Sequence, residues 1–161
     1  MLKDLQKLSK LRQNREQQAA GQVIRLAAAE RDRGERLRQL EAEALDLAEE
    51  VQKRIGALYG ASVGGRFSPA ELDTLAATVD AEYSREARMR ETLQAAAGEL
   101  AKAREETAMA RIVLAERMRA LRKLDLTIAE LKSRGERMAE LLAESEAERP
   151  PGAGIMAPRG N

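Results

Sequence analysis

From Leu72 to Leu142 the chain repeats apolar residues at alternating intervals of three and four without a single slip. The series runs Leu72, Leu75, Val79, Glu82, Glu86, Met89, Leu93, Ala96, Leu100, Ala103, Thr107, Ala110, Leu114, Arg117, Leu121, Leu124, Ile128, Leu131, Gly135, Met138, Leu142. Only Glu82, Glu86, Thr107 and Arg117 place a polar side chain in it. A 3.5-residue period over about ten heptads is the seam of a coiled coil. The residues between are mostly Glu, Arg, Lys, Ala and Gln, strong helix formers with soluble faces. No proline interrupts the run, so it predicts one helix on the order of 100 Å long whose apolar edge must be covered.

Composition removes most other architectures. Aromatic residues are 2% of the chain and charged residues 34%, the profile of a long helix rather than a compact core. Lys and Arg (28) nearly balance Asp and Glu (27), for a net charge of +1, which argues against a dedicated nucleic-acid binder. With neither Cys nor His there is no thiol chemistry, no disulfide framework, and neither the usual general base nor the usual metal ligand. No apolar run reaches the 18 residues of a membrane span, and the lysine-rich start lacks the apolar stretch of a signal peptide. Carboxylate pairs such as Glu49–Glu50 and Glu105–Glu106 sit on soluble helix with no pocket composition around them. The sequence therefore predicts no enzymatic activity, no cofactor and no metal.

The N-terminal stretch sets Leu2, Leu5, Leu8 and Leu11 among Lys3, Lys7, Lys10, Arg12 and Arg15, with Asp4 the one acid. It reads as the start of a long helix whose apolar edge meets a partner; a membrane-surface helix is the weaker reading, because aromatic anchors are missing. Further on, Leu37, Leu40, Ala44, Leu47, Val51, Ile55 and Leu58 form a second seam with one irregular step. Gly60 suggests a helix stop, and Gly64–Gly65 a flexible loop. Ser68-Pro69-Ala70-Glu71 is a capping box with proline at the first helical position, and Phe67 and Leu72 have the spacing of a hydrophobic staple. Gly60–Gly65 matches the glycine spacing of a phosphate loop, but Arg66 and Phe67 replace its Lys and Ser/Thr, and no strand precedes it.

The expected fold is all-α: a long antiparallel two-helix coiled-coil hairpin over residues 1–148 with a disordered tail at 149–161. Helix one covers about 2–59, the tip loop 60–68 and helix two about 69–148. A hairpin that buries its own seam predicts a monomer. Folded with Leu58 opposite Pro69 and Ala70, it sets Met1 near residue 126. Helix two then overhangs, leaving Ile128, Leu131, Met138 and Leu142 without a partner in the chain. The cluster Arg111, Arg117, Arg119, Arg122 and Lys123 reads as a solvated face with salt bridges to helix one, or as a belt for an acidic partner or a nucleic-acid backbone.

With its basic, leucine-rich start Met1-Leu2-Lys3-Asp4-Leu5, Ala/Glu/Arg-rich helices, mid-chain turn and overlong second helix ending in acidic residues, the chain resembles the YscO/FliJ family of type III secretion stalk proteins over about residues 1–148. The resemblance implies a cytoplasmic protein peripheral to the inner-membrane export apparatus. Its partners would be the hexameric secretion ATPase, the export gate protein and secretion chaperones. The family offers no motif by which functional residues transfer. The docking candidates follow from the hairpin instead: Lys3, Lys7, Lys10, Leu131, Met138 and Leu142 at the open end, Tyr59 and Phe67 at the tip. The competing reading is a structural or chaperone-like coiled-coil adaptor; a prefoldin-like clamp would need strands where residues 60–67 offer only a short glycine-rich loop.

Overall fold

A computed structural model describes residues 1–151. It contains two helices and, among the described residues, no strand: α1 (Leu2–Ser62) and α2 (Pro69–Ala147). They pack against each other in antiparallel fashion, Ser9 beside Asp125 and Arg54 beside Glu82. The predicted seam of α2 is the packed edge: every one of its positions from Leu75 to Leu131 is buried or half-buried. Part of the expected tail, residues 152–161, lies outside the described residues.

Packing divides the helices into two units, one of Met1–Ala20 with the described residues from Val113 onward, the other of Gly21–Ile112. In the second unit Val51, Ile55 and Val79 form a core cluster flanked by Leu47 and Leu58. Leu40, Leu100, Ala103 and Thr107 are buried further along the same unit. Thr107, 1% exposed, is tolerated because its hydroxyl donates to the carbonyl of Ala103 at 2.8 Å. Glu82 is held by Arg54 from α1 at 3.2 Å and by Arg85 of its own helix at 3.1 Å, so this seam carboxylate is paired on both sides.

The first unit has a more polar interior. Its buried residues include Ser9, Ala19, Leu124 and Ile128. Arg12 donates across the helix pair to the carbonyl of Ala120 at 2.9 Å, and Arg117 returns the gesture to the carbonyl of Arg15 at 3.2 Å. Arg117, the fourth polar interruption of the seam, thus reaches helix one through a backbone oxygen and not through a salt bridge.

Three details correct the sequence expectation. First, α1 does not stop at Tyr59–Gly60 but continues to Ser62. Gly60 stays helical, at the modest cost of glycine in a helix. The left-handed residue is Gly64, with φ 81°, and Gly65 N–H closes back on the carbonyl of Ser62 at 3.3 Å. Second, the loop is accordingly 63–68, and α2 ends at Ala147, just before Pro150 and Pro151. Third, the register differs, in part because a longer α1 moves the midpoint of the turn toward the C-terminus. Ser9 meets Asp125 where the expected fold would have placed it about two helical turns earlier on α2. Ile128 is therefore buried and Leu131 half-buried, not uncovered.

Candidate functional site

At the open end of the first unit, α1 supplies lysines at a spacing of three to four residues, which puts Lys3, Lys7 and Lys10 along one flank. The register brings Lys132 of α2 to the same flank. These four lysines border one open groove with Gln6, Gln13, Asp125 and the edge of Ile128. The Asp125 carboxylate is engaged by the Ser9 hydroxyl at 2.8 Å. Among the described residues none of the four lysines takes part in a salt bridge. The groove is thus an open, mostly polar surface bordered by four lysines, suited to an acidic segment of a partner.

Beyond it α2 continues with no facing helix among the described residues. Met138, Leu141 and Leu142 are each 59% exposed. Of the apolar candidates read from the sequence, Met138 and Leu142 are bare, whereas Leu131 contributes to the packed seam. Lys132 and Leu141 were missed. Lys132 joins the site only through the two-turn register shift, and Leu141 lies one residue before the a/d series.

At the tip, the capping box closes as its sequence requires: Glu71 N–H donates to Ser68 Oγ at 3.3 Å and Ser68 N–H to Glu71 Oε2 at 3.0 Å. Phe67 is half-exposed, and its ring rests on Gly65, where an added Cβ would lie 3.0 Å from the ring edge. Leu72, its expected staple partner, remains half-exposed. Tyr59, also exposed, lines an open apolar groove with Leu72, Leu75, Ala76 and Val79. Tyr59 and Phe67 therefore both present ring surface at the tip.

No family model matches the chain, and no curated protein or solved structure matches it either. The class rests on the fold itself, a two-helix antiparallel coiled coil with exposed surface at both ends. No helix among the described residues is long and apolar enough to cross a membrane.

Proposed function

We propose that the protein is a non-enzymatic coiled-coil stalk of a type III secretion apparatus, cytoplasmic and peripheral to the inner-membrane export apparatus. In this role it links the hexameric secretion ATPase to the export gate and binds secretion chaperones. The observation that carries the reading is the open end: four lysines border one groove, and α2 runs on past it with Met138 and Leu142 bare. This end enters the bore of the ATPase ring. Exposed charge contacts contribute on the order of 1 kcal/mol or less each and weaken with salt, which suits a stalk that must engage without locking. The tip, with Tyr59 and Phe67, faces the export gate, since partly exposed aromatic rings are effective anchors for a partner.

Deleting the gene in a strain with an active type III secretion system tests the proposal. Secretion is expected to fail and to return on re-expression of the wild-type chain. Undiminished secretion in the deletion strain would leave the structural or chaperone-like adaptor as the better account.

A further inference from the structure

The exposed end of α2 has a charge pattern that reverses about its own middle. Continuing the seam register past Leu131, the core positions are Gly135, Met138, Leu142 and Ser145. The positions flanking that core are Lys132, Ala139 and Glu146 on one side, Arg134, Leu141 and Glu148 on the other. Each flank thus begins with a base, has an apolar residue in the middle and ends with an acid. In an antiparallel pair of identical helices, each flanking row faces its own copy.

We propose that in the free protein this segment pairs antiparallel with the same segment of a second copy. Met138 then packs against Leu142 of the second molecule, and the small residues Gly135 and Ser145 oppose each other, letting the helices approach. Lys132 faces Glu146 and Arg134 faces Glu148, each twice by symmetry, while Ala139 and Leu141 each meet their own counterpart near the two-fold axis. Geometry supports the same centre independently. Ser9 opposite Asp125 places the first residue of α1 beside residues 132–134, and α2 ends at Ala147. The stretch left uncovered among the described residues is therefore centred on Glu140, midway between Met138 and Leu142. Lys132, Arg134, Glu146 and Glu148 are all exposed and, among the described residues, none of them forms an ion pair. A parallel pair would bring the like-charged ends together instead. The contact is short and falls below the size of stable interfaces, so the dimer is weak and concentration-dependent. The hairpin remains self-covered through Ile128; only the exposed end recruits the second copy.

The test uses the purified full chain alone and so is independent of the secretion reading. In sedimentation equilibrium the wild-type mass rises from one chain toward two as concentration reaches the millimolar range. The all-acidic variant Lys132→Glu/Arg134→Glu and the all-basic variant Glu146→Lys/Glu148→Lys each stay monomeric, with unchanged circular dichroism. Their equimolar mixture associates again, because every flanking pair is restored between unlike chains. Since the protein has no cysteine, Ala139→Cys with a short bismaleimide gives a second readout: it cross-links to itself efficiently, whereas Glu140→Cys, exposed on the opposite side of the helix at the same level, does not. A wild-type chain that remains monomeric throughout, a mixture that does not associate, or equal cross-linking at both positions overturns the pairing.

Discussion

The hydroxyl of Ser9 donates a 2.8 Å hydrogen bond to the Asp125 carboxylate across 116 residues of sequence, and the pair sets the register of the open end of the hairpin. Ser9 is only 8% exposed, so its polar group depends on that partner. Asp125→Ala is expected to cost about 1–2 kcal/mol, because it leaves a buried hydroxyl unpaired. The double variant Ser9→Ala/Asp125→Ala should cost less than the two single changes summed, a coupling of about 1 kcal/mol measurable by urea unfolding. Strict additivity would mean that the bond does not hold the register.

The tip makes a local prediction. Ser68→Ala removes the acceptor for Glu71 N–H and is expected to lower stability by about 1 kcal/mol in thermal or urea unfolding. No change would mean that the first turn of α2 is held by other contacts.

Gly34 lies in the packed edge of α1, yet a Cβ there would sit at an ordinary 3.8 Å from Leu100 Cδ1. Gly34→Ala should therefore stabilise the hairpin by about 1 kcal/mol, through helix propensity. By contrast, Leu100→Ala should destabilise it by about 3 kcal/mol, since Leu100 is buried. A destabilised Gly34→Ala protein would show that the helices need a closer approach at that point.

Much of the fold was legible because coiled-coil packing is a periodic problem and α2 solves it without a slip. The register was harder to read. It turned in part on whether Gly60 or Gly64 terminates α1, and glycine permits both a helical and a left-handed conformation. Misplacing the turn hid Lys132 from the basic flank and left Leu131 looking bare. The start of α1 was also misleading: Leu2, Leu5, Leu8 and Leu11 recur every three residues, which drifts round a helix of 3.6 residues per turn. Of the four, Leu5 and Leu8 are half-buried while Leu2 and Leu11 are exposed, and the packed edge continues through Ser9, Arg12 and Glu16 to Ala19, three polar positions that no hydrophobic pattern announces.

For the tip, Phe67→Ala is expected to weaken binding to the export gate protein while changing hairpin stability little, because the ring is half-exposed and rests mainly on Gly65. A titration against the purified gate domain reads this. Unchanged affinity would restrict Phe67 to shaping the loop.

At the other end, the apolar contribution is best isolated with Met138→Ser/Leu142→Ser. Adding Leu131→Ser would also disturb the packed seam. The double variant should keep its helical circular dichroism, bind the hexameric secretion ATPase more weakly and reduce secretion. Full binding and secretion would remove the bare end of α2 from the docking surface.

The most direct measurement is the affinity of the purified protein for the purified hexameric secretion ATPase, compared with that of the triple variant Lys3→Glu/Lys7→Glu/Lys10→Glu. The wild-type chain should bind, more weakly as salt is raised, and the variant should lose at least about tenfold in affinity with its circular dichroism unchanged. Wild-type-like binding by the folded variant, or no binding by the wild-type chain at low salt, would contradict the assignment of the lysine-lined end as the ATPase-docking surface.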